Sequence, residues 1–437
     1  MSNPVPGQRL LARFGWRPPS GVSVLEDNIS INTLHGIVQI MALNMVQPFI
    51  GIFAVRIGAT NYQIALLSSA PAVVALLAMI PGARLVDRHE RKKRITMGFL
   101  MAHRACFLGL ACVPFFMPDL RAAMLVGIVA LMNLPGAIGN VAWQSFISGI
   151  VPQQLRPTAF AQRSRLMNLV GTLVVLLAGR LLDLITFPIG YQVAFVAAFG
   201  LALGEMSVLN RIDEDGALAL LAQADADEPQ TPGGKVSSLA TLARTWRSVV
   251  AHRPYVRYTA ASVVFYFAWQ TAWPLFTLYQ VNVLGANNLW ISILSLANTG
   301  GSLVGYTFWA RHATRHGNLR TLFTASAGIF VVPVVYAFST SLYTVAAFNL
   351  ITGAIFSGVN LSLFNALLDT TPQRHRTSYI AYYNTLINMS AIVAPMFGVA
   401  LLNQFGFKWA FLAAGSLRIM GSLGFWVIDR LGDRDGS

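Results

Sequence analysis

The chain has 437 residues, of which 55% are hydrophobic and only 11% are charged. One soluble core does not need so much apolar residue, so the composition excludes an ordinary soluble domain and indicates a polytopic helical membrane protein. The formal net charge is +14, but the basic residues lie between apolar runs instead of forming one stripe, which argues against nucleic-acid binding. The two cysteines, Cys106 and Cys112, exclude a disulfide framework.

The first segment, residues 1–28, is predicted to be a cytoplasmic tail. Arg9, Arg13 and Arg17 alternate there with apolar side chains, and no apolar run with a cleavage site follows. This pattern argues against a secretory signal peptide. A transit peptide is the alternative, and we favour a helix lying on anionic lipid.

Apolar runs of about twenty residues follow, the length needed to cross ~30 Å of hydrocarbon. The predicted spans are 29–54, 61–82, 95–115, 121–149, 164–184, 189–210, 257–281, 288–310, 321–338, 342–368, 379–402 and 409–428. They form an N-terminal half (29–210) and a C-terminal half (255–430), each of six helices. A polar linker (211–254) joins the halves and ends in a predicted interfacial helix (236–252), and a cytoplasmic tail (431–437) closes the chain.

The Lys and Arg residues predict the orientation. Most lie in the tails, the linker and alternate loops, which places both termini in the cytoplasm under the positive-inside rule. Arg163 and Arg165, at the start of the fifth span, are assigned to this cytoplasmic charge. Lys92, Lys93 and Arg94 are interpreted in the same way, as orientation signals and lipid contacts.

An internal repeat relates the two halves. Residues 57–61 (I-G-A-T-N) recur as residues 284–288 (L-G-A-N-N), and Pro152, Gln153 and Arg156 recur as Pro372, Gln373 and Arg376. The repeat predicts two pseudo-symmetric six-helix halves of the same polarity, related by an axis along the membrane normal.

The loop after the second span carries a family motif. Residues 83–92 read A-R-L-V-D-R-H-E-R-K, which resembles the Gly-x-Leu-x-Asp-Arg-x-Gly-Arg-Lys/Arg motif of the major facilitator superfamily, with Ala83 and Glu90 at its glycine positions. The second-half copy, residues 309–317, has Thr314 in place of the acid. The resemblance implies an all-α fold of twelve transmembrane helices that transports solutes by alternating access.

This loop is predicted to gate the cytoplasmic side. Asp87 can lie against the positive N-terminus of the eleventh predicted span (379–402). Arg88 and Arg91 can pair with helix-end carbonyls or with a carboxylate such as Asp369. Arg315 is the basic residue of the second-half copy. The alternative is that the basic residues serve only topology.

Polar side chains inside spans are the candidate substrate contacts, because they are costly in lipid unless they face a cavity or a partner. The resemblance assigns the central cavity to helices one, four, seven and ten. Their candidate residues are Asn32, His35, Gln39, Asn44, Asn140, Gln144, Trp269, Gln270, Trp273, Asn360 and Asn365. Amides and tryptophans suit a neutral or amphiphilic molecule, although any one amide could instead tie helices together.

Charges inside spans are few, and Glu205 and His35 are the candidates for proton coupling. Arg104, Arg418 and Glu205 are costly unless paired or hydrated. Glu205 is predicted either to carry protons or to hold a water-exposed structural position. His35 can act as a proton relay or as a simple hydrogen-bonding residue.

The sequence therefore predicts a secondary transporter of a small organic solute. The alternatives are a drug or amphiphile exporter of the same fold, although residues 168–183 lack the Gly-Pro signature of proton-coupled exporters, and a non-transporting sensor or assembly subunit. No metal-ligand spacing, phosphate loop or nucleophile elbow indicates an enzyme, a metal or a cofactor, while proton or other ion coupling stays open. The predicted partners are the solute and the lipid bilayer, and nucleic acid is not among them. The protein is predicted to be a monomer in a bacterial cytoplasmic membrane with both termini inside.

Overall fold

The computed structural model describes residues 23–89, 91–152, 155–225, 249–372 and 376–435. The predicted lipid-surface tail and most of the predicted interfacial helix lie outside these residues. The described residues are helical and contain no strand. The first eight helices are α1 (Val24–Asn44), α2 (Ile50–Arg56), α3 (Asn61–Asp87), α4 (Lys92–Cys112), α5 (Pro118–Ile150), α6 (Arg156–Leu184), α7 (Ile189–Asn210) and α8 (Glu214–Asp225). The remaining seven are α9 (Arg253–Thr271), α10 (Trp273–Asn282), α11 (Asn288–His316), α12 (Asn318–Gly328), α13 (Val331–Phe338), α14 (Leu342–Thr370) and α15 (Arg376–Asp435).

These helices account for twelve membrane crossings. Within the described residues, nine segments are long and apolar enough to cross a membrane. One of them, Tyr379–Arg430, holds two crossings, because Gly406 interrupts α15 with a φ of 76°. The more polar helices α9–α10 and α11 supply the seventh and eighth crossings, which confirms the predicted twelve-helix fold.

Besides the first predicted span, which breaks between α1 and α2, two predicted spans are interrupted in the structure. The seventh breaks at Ala272, between α9 and α10, and the ninth breaks between α12 and α13. Pro274 and Pro333 follow these breaks. Proline has no N–H and cannot bond the carbonyl four residues before it, so a proline favours a kink at each point.

The described helices belong to two compact units. The first unit lies within Met1–Phe53 and Leu77–Gly233, and the second within Ala54–Leu76 and Gly234–Ser437. In the first unit α1 packs against α6 and α7, and α4 packs against α5 and α7. In the second unit α9 packs against α15, and α14 packs against α11 and α12.

Candidate functional site

A buried charge cluster lies in the interior of the first unit. It consists of His35 on α1, His103 and Arg104 on α4, Arg163 on α6, and Glu205 on α7. All five side chains are buried. Charged groups are rare inside spans and carry function or hold partners when they occur, so this cluster is the candidate functional site.

Glu205 is the only acid of this cluster, and it contacts two of its neighbours. Arg104 donates from Nε to Glu205 Oε2 at 3.0 Å and from Nη2 to Oε1 at 3.2 Å. His35 Nε2 lies 3.4 Å from Glu205 Oε1. The predicted water-exposed position of Glu205 is wrong, because its exposed fraction is 0%. The carboxylate forms charge-assisted bonds inside the bundle instead of facing the cytoplasm.

The geometry at His103 defines its tautomer. Arg104 Nη1 lies 2.8 Å from His103 Nδ1. A guanidinium can only donate, so Nδ1 must be the acceptor and a neutral His103 carries its proton on Nε2. Arg104 therefore bridges His103 and Glu205 and joins α4 to α7.

Arg163 also lies against helix α1. Its Nη2 donates to Gln39 Oε1 at 2.8 Å and its Nε donates to the backbone oxygen of Asn32 at 3.3 Å. The guanidinium carbon lies 4.4 Å from the centre of the Trp143 ring, within cation–π range.

The assignment of Arg163 to the cytoplasmic charge is a misassignment, since only 8% of the residue is exposed. Helix α6 begins at Arg156, two turns earlier than the hydropathy pattern predicts, and these turns carry Arg163 into the bundle. A helix-start signal was available in the sequence, because Pro157 suits the first turn of a helix.

The polar stripe predicted on the first helix largely joins this cluster. Asn32, His35 and Gln39 all lie on the side of α1 that meets Arg163 or Glu205. Asn44 lies farther along and donates from Nδ2 to the backbone oxygen of Gly171 at 2.9 Å, which ties α1 to α6. His103 belongs to the cluster and Trp143 contacts it, and the sequence analysis predicted neither.

The second unit has a different buried charge. Arg418 on α15 is 1% exposed and donates to two backbone oxygens, from Nη1 to Ile329 at 3.2 Å and from Nη2 to Trp269 at 3.0 Å. Both carbonyls lie next to the helix breaks that precede Pro274 and Pro333. Arg418 therefore bonds carbonyls at the two places where the helices are interrupted, as the lipid environment requires.

The predicted residues of the seventh helix have different environments. Trp269 is buried against the rings of Phe265, Tyr266 and Phe356. Gln270 is also buried, and its Oε1 has no hydrogen-bond partner among the described residues. Trp273 is 44% exposed.

The remaining predicted cavity residues are more accessible. Asn140, Gln144 and Asn360 are exposed, and Asn365 is half-buried. Asn360 borders a cleft of about 150 Å³ within the second unit. The cleft is lined by Tyr266, Asn360, Leu363, Phe364, Leu367, Ile380, Tyr383 and Asn384.

A comparison of the sequence with known protein families identifies the family of this chain. The profile of the Major Facilitator Superfamily matches residues 34–301 and 258–435. The chain belongs to the Major Facilitator Superfamily. It is therefore an integral, multi-pass membrane transporter, and its family implies a small-molecule substrate.

Relatives of known name agree with this family. The chain is 25% identical over 401 residues to the "Multi-drug resistance efflux pump PmrA" of Streptococcus pneumoniae strain TIGR4, covering 89% of this chain and 92% of that protein. The protein of strain R6 matches with the same values.

Solved structures of transporters share the fold. A bacterial homologue of the human lysosomal transporter Spinster, crystallised inward-facing and unoccupied, aligns with a TM-score of 0.63 at 13% identity, covering 94% of this chain and 98% of that one. The nucleoside transporter NupG also aligns with a TM-score of 0.63, at 10% identity over 92% of this chain and 99% of that one.

The motif loop of this superfamily member is shorter than the sequence predicts. Helix α3 continues to Asp87, which is its last residue, and α4 begins at Lys92. The Asp87 side chain and Glu90 lie outside what the structure describes, and Arg88 is exposed. Arg91 Nε lies 3.3 Å from Asp215 Oδ1, so its partner is on the linker helix α8. Asp369, the partner suggested from the sequence, instead accepts a bond from Asn318 Nδ2 at 2.7 Å.

Lys92 and Lys93 are more than orientation charges, contrary to the prediction. The Glu214 carboxylate accepts the backbone N–H of Lys92 at 2.8 Å, and the Lys92 Nζ donates to Ser145 Oγ at 2.6 Å. Lys93 Nζ donates to the backbone oxygen of Ile212 at 2.8 Å. Glu214 thus caps α4 from the linker, a role that spacing along the chain does not reveal.

Arg315, the basic residue of the second-half copy, is exposed near the end of α11. Beside it the rings of His312 and His316 stack with centres 4.4 Å apart. Burial lowers the pKa of His312, and the positive charge available at His316 lowers it further. The described residues contain no group of three or more His, Cys, Asp or Glu that could hold a metal.

Proposed function

We propose that this transporter moves a small organic solute by secondary active transport, with its two six-helix halves alternating around a central cavity. The family profile across both halves supports this proposal, and the internal repeat of the sequence supports it independently. The proposed cavity residues are those predicted on helices one, four, seven and ten. The proposed cytoplasmic gate comprises Asp87, Arg88, Arg91 and Arg315.

The protein is proposed to function as a monomer in a bacterial cytoplasmic membrane with both termini inside. The distribution of Lys and Arg supports this orientation.

Coupling to protons is the finer part of the proposal. The observation that carries it is the contact between His35 and Glu205 in the interior of the first unit, 3.4 Å from Nε2 to Oε1. Histidine is the side chain whose charge ordinarily changes between pH 5 and 8, and a carboxylate beside it can stabilise the added proton. His35 is the proposed proton carrier, and Glu205 is its counter-charge.

Drug or amphiphile efflux is the second candidate. The similarity to the PmrA efflux pump favours it. The aromatic surroundings of Trp269 also suit an apolar, planar molecule.

Counterflow in proteoliposomes tests transport itself. Purified protein is screened by thermal shift against sugars, amino acids, organic anions and lipophilic cations, because a ligand that binds only the folded state raises its stability. Stabilising solutes are then assayed for exchange of labelled against unlabelled solute. Binding without exchange of any solute would favour a sensor over a transporter.

A His35→Gln variant separates coupling from transport. Counterflow needs no proton gradient, so the variant should retain exchange and lose accumulation driven by an imposed pH gradient. His89→Gln is the matched control, since His89 is exposed in the cytoplasmic loop. Gradient-driven accumulation that persists in His35→Gln would contradict the coupling proposal.

A further inference from the structure

Arg163 is a buried cation without a counter-ion of its own. It donates to a backbone carbonyl and to the neutral amide of Gln39. Among the described residues, no carboxylate lies within 4.0 Å of its guanidinium. Glu205, the acid of the cluster, is already bonded twice by Arg104.

The buried charge cluster therefore has an excess of positive charge. Arg104 and Arg163 stay protonated in proteins, and Glu205 balances one of them. With both histidines neutral, one positive charge is left over inside a membrane span. Such a charge is costly unless something compensates it, and in a transporter the compensating group can arrive with the solute.

The surroundings of Arg163 also have an unused hydrogen-bond donor. Trp143 lies with its ring 4.4 Å from the guanidinium carbon. Its Nε1 is buried and has no hydrogen-bond partner among the described residues. An indole N–H can only donate, so it requires an acceptor just as the guanidinium requires a negative charge.

The guanidinium of Arg163 packs against helix α1 at Gly36. A Cβ at Gly36 would lie 2.5 Å from Arg163 Nε and 2.9 Å from its Cζ. The guanidinium thus rests directly on the backbone of α1, one turn from the stripe residue Asn32. Asn32 Oδ1 is also buried without a partner among the described residues and can accept from a donor on the same ligand.

We propose that Arg163 and Trp143 form a subsite for an anionic group of the transported solute, such as a carboxylate or a sulfonate. This inference rests on the proposed function and narrows its substrate class. The guanidinium supplies charge and the indole N–H supplies a directed hydrogen bond, while the ring of Trp143 contacts the apolar part of the molecule. The same excess charge repels lipophilic cations, so the transported molecule is an organic anion.

Isosteric probes that differ in charge test the subsite. Naphthalene-2-carboxylate and naphthalene-2-sulfonate are compared with 2-naphthamide and naphthalen-2-ylmethylammonium, using full-length protein in detergent. Binding is followed by thermal shift and calorimetry, and transport is followed by counterflow in proteoliposomes. The anions should bind at least tenfold more tightly than the ammonium probe.

The variants locate the effect on one side chain. Arg163→Gln should weaken anion binding at least tenfold, and Arg163→Lys should retain part of it because the charge remains. Arg165→Gln is the matched control, two positions along the same helix and exposed. Gly36→Ala displaces the guanidinium without removing its charge and should also weaken anion binding, so it serves if Arg163→Gln does not fold.

The outcomes distinguish this inference from the proposed function. Tighter binding of the ammonium probe, absence of anion binding by the unmodified protein, or anion affinity unchanged in Arg163→Gln would overturn the subsite. Anion binding that depends on Arg163 but gives no counterflow would support the subsite and contradict transport. If neutral solutes show counterflow and anions do not inhibit it, the proposed transport function would be supported and the subsite would be overturned.

Discussion

Glu205 is the residue on which the interior of the first unit depends electrostatically. Replacing it with glutamine leaves the buried Arg104 without a counter-charge, although the side chains have nearly the same shape. Losing one partner of a buried pair costs about 3–5 kcal/mol. We expect Glu205→Gln to lower the thermal unfolding midpoint in detergent strongly, and Arg104→Gln to do the same.

The matching control removes both charges at once. The double variant Arg104→Gln/Glu205→Gln leaves no unpaired ion, so it should be more stable than the sum of the single effects predicts. Glu26→Gln, at an exposed acid in the first turn of α1, should change little. Additive effects of the two buried substitutions would contradict the pairing.

At the residue scale, the sequence predicts which polar side chains are costly to place inside a membrane span, but not which of them contact one another. Helical spacing places Asn32, His35 and Gln39 on one stripe of α1, and in the structure this stripe has polar partners. Those partners come from α6 and α7, more than a hundred positions away, and periodicity along one helix contains no information about them. Arg163 is assigned wrongly for the related reason that a hydropathy window places the start of a span by its apolar residues.

At the element scale, α11 and α14 approach each other through glycines. A Cβ at Gly301 would overlap the carbonyl oxygen of Leu350, whereas a Cβ at Gly300 would meet only Leu350 Cδ2 at 3.9 Å. Gly301→Ala should therefore push the helices apart at a cost of about 1–3 kcal/mol. Gly300→Ala should be tolerated, because it makes an ordinary contact and favours the helix.

Thermal unfolding in detergent and the fraction of monodisperse protein measure this difference. The two substitutions are chemically identical and adjacent in the chain, so any effect common to both reports helix propensity alone. Equal stability of the two variants would show that α11 and α14 do not pack through Gly301.

The helix breaks of the second unit give another prediction. Arg418 bonds the carbonyl of Ile329, the residue four positions before Pro333. Arg418→Met removes this donor and the one to Trp269. The Ile329 carbonyl still accepts the N–H of Val332 at 3.2 Å, so the cost is that of the lost charge-assisted bonds, about 1.5–3 kcal/mol each. Pro333→Ala restores an N–H that can bond Ile329, so Arg418→Met should destabilise this background less than the original protein.

Unfolding midpoints of the four proteins in this cycle measure the coupling between the two positions. A cost of Arg418→Met that is the same with and without Pro333 would show that the arginine does not compensate for the proline.

The sequence predicted the membrane-spanning helices more successfully than the breaks within them. The apolar runs identify the twelve crossings because crossing hydrocarbon requires about twenty residues in every case. Pro274 and Pro333 can be read from the sequence. Hydropathy averaged over a span does not register the loss of one backbone N–H, however, so it does not predict the break that each proline favours. The length of α6 was missed for the same reason, since polar turns that continue a helix add nothing to an apolar average.

At the scale of the whole molecule, the internal repeat extends to the polar contacts within each unit. Glu205, on the sixth crossing, contacts the first and third crossings through His35 and Arg104. Arg418, on the twelfth, contacts the seventh and ninth through the carbonyls of Trp269 and Ile329. The sixth helix of each half ties the equivalent pair of helices, with an acid in one unit and a base in the other. Among the described residues that make these contacts, those of the first unit include titratable partners, so the proposed ion coupling is assigned to that unit.

The segment between α3 and α4 contains residues of the proposed gate and also the capped start of α4. Asp87 is an acid at the end of α3, next to the basic residues of the motif, and the positive-inside rule does not require it. Asp87→Asn should strongly reduce counterflow while leaving membrane abundance and the unfolding midpoint unchanged. Glu214→Ala should do the reverse, because losing the carboxylate that caps α4 costs about 1 kcal/mol without removing a gate residue. Transport per folded molecule and thermal unfolding, measured on both variants, distinguish the roles, and normal counterflow in Asp87→Asn would exclude it from the gate.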